Sequence, residues 1–135
     1  MNGVLKQAWG YQGDAMSLPV SDVDSAVEFY QAIMGFRVES RADEPRSATL
    51  TRDLVRMRIV ENGGDPSQDG CAFQVENVTA LFDEFKANGW NAPVKPDGSF
   101  DTETHEDGSR WKVFFVVAPD GLCYWFGEKM EGGNG

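Results

Sequence analysis

A stretch of this chain near residue 20 returns, in kind, near residue 75. Val20 answers to Val75, Asp22 to Asn77, Val23 to Val78 and Tyr30 to Phe85, every pair 55 positions apart. Gly35 and Gly89 fall one position short of the same offset. A common spacing shared by a strand end, a helix cap, an apolar stripe and a terminal glycine marks an internal repeat. The chain is therefore restricted to folds built from two like halves.

Each half reads as a strand, a helix and then further strands. Met16, Leu18 and Val20 alternate as a strand with one buried face. Ser21-Asp22 supplies a helix cap, and apolar residues at 23, 26, 27, 30, 33 and 34 form one helical stripe that Gly35 ends. Short strands follow over Phe36–Arg41, Ser47–Arg52 and Leu54–Val60, and the polar run Glu61–Gly70 connects the halves. In the second half Cys71, Phe73 and Val75 alternate, Asn77 caps, and Val78, Leu81, Phe82 and Phe85 form the stripe. The spacing then predicts a strand at Pro93–Lys95, a polar loop over Pro96–Arg110, and an apolar strand Trp111–Val117 covered on both faces. A turn at Ala118–Gly121, a last strand Leu122–Phe126 and a frayed tail Glu131–Gly135 complete the reading. The expected class is α+β, with two βαβββ modules at about 14–61 and 70–128 in one domain over 1–135.

Composition narrows the function. The 135 residues are 41% apolar and 12% aromatic, enough for a packed core rather than disorder. Twelve basic against 22 acidic residues give a net charge of −10. Such a surface repels phosphate backbones and anionic membranes, so neither nucleic acid nor membrane is expected as a partner. No run approaches the ~20 apolar residues of a spanning helix. Met1–Gly10 lacks the pattern of a signal peptide, and two cysteines, Cys71 and Cys123, make no disulfide framework. A cytoplasmic protein with two strand thiols is expected. Asn77-Val78-Thr79 fits a glycosylation sequon but is expected to open a helix.

Three phrases add a resemblance. They are Leu18-Pro19-Val20-Ser21-Asp22 with Ser25, Phe29-Tyr30 and Met34-Gly35-Phe36; Ala72-Phe73-Gln74-Val75 running to Asn88-Gly89; and Phe114-Phe115-Val116-Val117-Ala118-Pro119-Asp120-Gly121 before an aromatic strand. In this order the chain resembles the vicinal oxygen chelate superfamily, the glyoxalase, bleomycin-resistance and extradiol-dioxygenase group. The resemblance implies two curved mixed sheets forming a cup, helices on the outer face, and a homodimer with the cups at or near its interface.

It also implies, for many members, a divalent metal held in the cup by His and Glu. The positions that would carry those ligands fall here on Ala15, near Arg58, on Gly70 and on Trp125. None supplies the donors such an ion needs. The chain has one histidine, His105, within the polar run Thr102–Asp107, where a solvated loop is expected. No metal and no cofactor are expected, and the metal-dependent chemistries of the superfamily are in doubt.

Strand parity then nominates a ligand face. If Met57 and Ile59 pack under the helices, Arg56 and Arg58 point into the cup. If Tyr124 and Phe126 face the core, Cys123 and Trp125 face the cup, as do Ser17 and Gln74. Trp111, Val113 and Phe115 share that side. Ligand contacts are expected from Arg56, Arg58, Trp111, Phe115, Cys123 and Trp125. Aromatic walls stack flat groups and arginine grips carboxylates. Each has a plainer role as well: Trp125 filling space left by the metal, and the arginines pairing with surface acids. Cys123 is read as a small strand residue rather than a nucleophile, because no histidine stands at a matching position to act as its base. No catalytic residue is nominated. The leading function is metal-independent binding of a small, partly aromatic molecule such as a drug or metabolite. A lyase, isomerase or dioxygenase with an unrecognised metal site stands second, and an interaction module with a closed cup third.

Overall fold

A computed structural model of the chain describes residues 3–10, 16–66, 69–90, 101–119 and 121–130. Its elements run β1 (Val4–Gly10), β2 (Leu18–Pro19), α1 (Val23–Ala32), β3 (Arg37–Asp43), β4 (Arg46–Arg52), β5 (Val55–Val60), β6 (Gly70–Glu76), α2 (Val78–Ala87), β7 (Asp101–Thr104), β8 (Arg110–Val117) and β9 (Cys123–Lys129). The fold is α+β with two mixed sheets. One has the order β2-β5-β4-β3, the other β1-β6-β9-β8-β7. Without β1 the two orders are the same. In both, the strand before the helix pairs in parallel with the last strand of its half, and the remaining pairs are antiparallel. The repeat in the sequence is thus a repeat of topology.

The caps repeat too. Asp22 accepts from the Asp24 amide at 3.0 Å, and Asn77 accepts from the Ala80 amide at 3.4 Å. A helix start still leaves amides unsatisfied. Glu61, just past β5, accepts from Val23 N at 2.9 Å. Glu128, in β9, accepts from Asn77 N at 3.0 Å and Val78 N at 2.9 Å. Each half therefore brings a carboxylate from its last strand to its helix, where the dipole favours negative charge.

The helices cover one face of each sheet. Tyr30, Phe73, Phe85, Tyr124 and Phe126 are fully buried between helices and strands, with Tyr30 and Tyr124 hydroxyls 2.6 Å apart. Met57 and Ile59 are fully buried, as their parity requires. Arg52 joins the halves. Its guanidinium meets both carboxylate oxygens of Glu84 on α2 at 2.6 and 2.7 Å, Asp53 at 3.2 Å and the Met34 carbonyl at 2.7 Å. Burial opposes the Arg52 charge, but bonding to Glu84 and Asp53 outweighs it and raises the pKa. Gly35 makes the approach possible. Its φ is +71°, and an added Cβ would lie 2.5 Å from the Arg52 guanidinium.

Several expectations change. Val4–Gly10 is a strand, antiparallel to β6, that the sequence reading left without structure. The first strand of module one shrinks to Leu18–Pro19, and Met16 lies in a turn. Leu54 is a turn residue, 73% exposed, so the strand starts at Val55. Part of the polar run is a strand: Asp101–Thr104 pairs with β8. β8 is not covered on both faces, since Phe115 and Val117 are exposed. The segment Pro93–Lys95, the loop residues 96–100, Ala15 and the tail 131–135 lie outside the described residues. Among the described residues no helix is long and apolar enough to cross a membrane.

Candidate functional site

On the sheet of β1, β6, β9, β8 and β7, the side chains that alternate away from the core converge on a cavity of about 460 Å³. Trp9, Ala72, Glu103, His105, Trp111 and Trp125 line it. Register explains the convergence. Trp9 pairs with Ala72, Ala72 with Trp125, Phe115 with Trp125, and Glu103 with Trp111. Side chains opposite one another on one face of a sheet are neighbours, so each of the five strands of this sheet gives the patch a residue. Ala72 is small and leaves room between Trp9 and Trp125.

Trp125 is held from below and from one side. An added Cβ on Gly127 would lie 2.2 Å from the Trp125 Cη2 atom, so the indole lies directly on the glycine backbone. Its Nε1–H donates to both Glu103 oxygens at 3.2 Å. The residue is 9% exposed.

Trp111 is set by the turn between β7 and β8. Its Nε1–H donates to Ser109 Oγ at 2.8 Å, and that hydroxyl donates to Asp107 Oδ1 at 2.6 Å. Asp107 also accepts from the Ser109 amide at 2.9 Å, and these bonds hold its pKa below the usual value. Gly108, at φ +85°, lets the chain turn, and His105 N donates to Ser109 O at 2.8 Å. His105 lies in the loop between β7 and β8, as expected, but its ring packs over the sheet rather than standing free in solvent. Its ring stacks on Trp111 with centroids 5.2 Å apart and planes 18° apart, and it lies 5.9 Å from Trp125. Its Nε2 is 3.3 Å from Glu103 Oε1. The two indoles stand 5.6 Å apart.

The residues nominated from parity are thus divided. Trp111 and Trp125 line the cavity. Phe115 and Cys123 share their face without lining it. Phe115 is 38% exposed and Cys123 half-buried. Arg56 and Arg58 belong to β5 in the other sheet. Arg56 pairs with Glu39 at 2.5 Å, and Arg58 donates to the Met16 carbonyl at 3.3 Å. Trp9, Glu103 and His105 were not nominated. Glu103 had a usable signal, two residues from the lone histidine, but no sign that its segment was a strand. The other cysteine, Cys71, is fully buried, and burial pushes its thiol up to about 12, with the Trp9 backbone opposing.

The superfamily's metal does not fit these residues. Arg58 brings a cation, Gly70 has no donor side chain, and the Trp125 indole is a donor only, committed to Glu103. Glu103 and His105 give two donors, and among the described residues no three His, Cys, Asp or Glu side chains converge. A smaller cavity of about 300 Å³ lies against α1 at Ser21, Asp22, Ser25, Ala26 and Pro119, where the Asp22 carboxylate is engaged as the helix cap.

Comparison with known proteins agrees with this architecture. The model of the Glyoxalase/Bleomycin resistance protein/Dioxygenase superfamily matches residues 13–122. No curated protein matches the chain in sequence. Among solved structures, a bleomycin-binding protein complexed with bleomycin superposes with a TM-score of 0.63 at 21% identity, covering 86% of this chain and 97% of its own. The bleomycin resistance determinant encoded on transposon Tn5 gives 0.61 at 20% identity, covering 84% and 93%. A variant of the fosfomycin resistance protein from Listeria monocytogenes, complexed with Mn(II) and a dihydroxypropylphosphonic acid, gives 0.60 at 15% identity, covering 90% and 94%.

Proposed function

The chain belongs to the glyoxalase/bleomycin resistance protein/dioxygenase superfamily, and from that premise we propose that it binds a small organic molecule in the Trp9–Trp111–Trp125 cavity without a metal and without transforming it. The observation that carries the reading is an aromatic residue at a metal-ligand position, within a cavity lined by three indoles. The position that would hold a metal-binding glutamate on the last strand is Trp125, fixed between Gly127 and Glu103. A cavity of about 460 Å³ lies within the ~300–1,000 Å³ common for small-molecule sites, and its apolar walls with few polar groups suit one. A bleomycin-binding protein shares the fold, which supports sequestration as the role. Trp111 and Trp125 are proposed as direct contacts, with Phe115 and Cys123 at the margin of the same face. Arg56 and Arg58 are proposed to reach ligand only from another copy of the chain. A homodimer is proposed because Phe115 and Val117, 38% and 61% exposed, leave an apolar strip beside the cavity. A cytoplasmic location is proposed with it.

Equilibrium dialysis of chelator-treated protein against a broad panel of antibiotics and aromatic metabolites tests the reading. Retention of at least one compound, lost in Trp111→Ala, is expected. No retention across the panel, or retention unchanged in Trp111→Ala, contradicts it.

A further inference from the structure

Among the described residues the cavity has one carboxylate, Glu103, and no lysine or arginine stands against it. Its partners are the neutral indole N–H of Trp125 and the imidazole of His105. A carboxylate at an aromatic wall loses hydration on the side that faces the rings, and a cationic guest restores favourable interactions there.

The walls favour the same kind of guest. Three indoles from three strands, Trp9 on β1, Trp125 on β9 and Trp111 on β8, line the open space. The indole face is the strongest aromatic attractor of cations, and groups of such rings recognise alkylated ammonium ions. Trp125 lies on the Gly127 backbone and lines the cavity. His105 takes one face of Trp111.

The scarcity of acceptors narrows the choice further. A primary ammonium carries three N–H donors that all need acceptors once desolvated. Among the described residues the lining offers a single carboxylate, already accepting from Trp125. A fully alkylated ammonium has no N–H to satisfy and presents only polarised methyl groups to the rings. The overall charge of −10 works in the same direction by raising the local concentration of cations.

We propose that the ligand of this cavity carries a compact alkylated ammonium head, held by the faces of Trp9, Trp111 and Trp125 and neutralised by Glu103. The assignment rests on the binding function proposed above and names the chemical class that function serves.

The test uses choline and its neutral isostere, in which a tert-butyl group replaces the trimethylammonium, titrated into chelator-treated wild-type protein by calorimetry and tryptophan emission. Choline is expected to bind at least about tenfold more tightly than the isostere, as two or more ring contacts imply. Glu103→Gln, which keeps an acceptor for the Trp125 indole, is expected to weaken choline about tenfold and the isostere far less. Equal binding of the two compounds, or a choline affinity indifferent to Glu103→Gln, overturns the assignment and leaves the cavity as a neutral site. Failure of choline while a neutral aromatic compound from the dialysis panel binds also overturns it and spares the binding function. Failure of every compound removes both.

Discussion

Replacing Gly127 by alanine adds one methyl group beneath Trp125, and its effect can be worked from the geometry. The new Cβ would lie 2.2, 2.6 and 2.8 Å from three atoms of the indole ring. Ordinary contact begins near 3.4 Å, so the ring must lift by roughly 1 Å or tilt by an equivalent amount. Its Nε1 contacts to Glu103 are already 3.2 Å and would pass out of hydrogen-bonding range. A hydrogen bond to a charged group contributes about 1.5–3 kcal/mol, and because Glu103 is partly exposed the lower end applies. Overpacking adds about 1 kcal/mol or more. Against this, alanine in a strand gains about 0.5–1 kcal/mol over glycine. The net cost is about 2 kcal/mol, or a fall in Tm of several degrees for a domain of this size. Urea unfolding followed by tryptophan emission measures it. The same substitution made in a Trp125→Ala background should cost nothing or stabilise, because the clash is gone. An unchanged urea midpoint in the single variant, or an equal loss in both backgrounds, refutes the seating of Trp125 on Gly127.

Other perturbations separate the remaining parts of the account. Arg52→Met keeps volume but strands Glu84 and the Met34 carbonyl; breaking a buried pair costs about 3–5 kcal/mol, and with Glu84 30% exposed a loss of about 2–3 kcal/mol is expected from urea midpoints, whereas a loss under about 0.5 kcal/mol would contradict the joining role. Glu128→Gln keeps one acceptor for the two amides of α2 and loses the charge, for a cost of about 1 kcal/mol in the same assay. Asp107 has a pKa lowered first by the Ser109 hydroxyl bond and then by the Ser109 amide. A lowered carboxylate stabilises above its unfolded value near 3.9 and loses that contribution as pH falls through the folded one. The Trp111 indole resonance should therefore show a step below about pH 4, and Asp107→Ala should abolish that acid step.

What the sequence disclosed and what it hid divide along range. The repeat, both caps and the facing of Met57, Ile59, Tyr124 and Phe126 follow from local period and cap chemistry, which act over a few residues. β1 was hidden because its stability is tertiary. Of Val4–Gly10 only Leu5 is fully buried, and the strand exists by pairing with β6. β7 was hidden for a related reason: Asp101–Thr104 is polar throughout, and pairing with β8 along a sheet edge makes it a strand. With β7 unseen, Glu103 and His105 had no place in the site. Parity gave Trp111 and Trp125 because it fixes which face a side chain takes. It does not fix which sheet a strand joins, and so Arg56 and Arg58 were grouped with rings that the topology places on the other sheet.

The central claim is that a small molecule occupies the aromatic cavity without help from a metal. The four tryptophans allow a direct measurement, since Trp9, Trp111 and Trp125 line the cavity while Trp90 packs against Phe82, Phe85 and Phe114. The indole N–H resonances of nitrogen-labelled protein would be followed in excess chelator while a compound retained in dialysis is added. Saturable shifts of the Trp9, Trp111 and Trp125 signals are expected, with Trp90 unmoved. Binding that appears only after a divalent ion is restored, or that leaves those three signals in place, would contradict it.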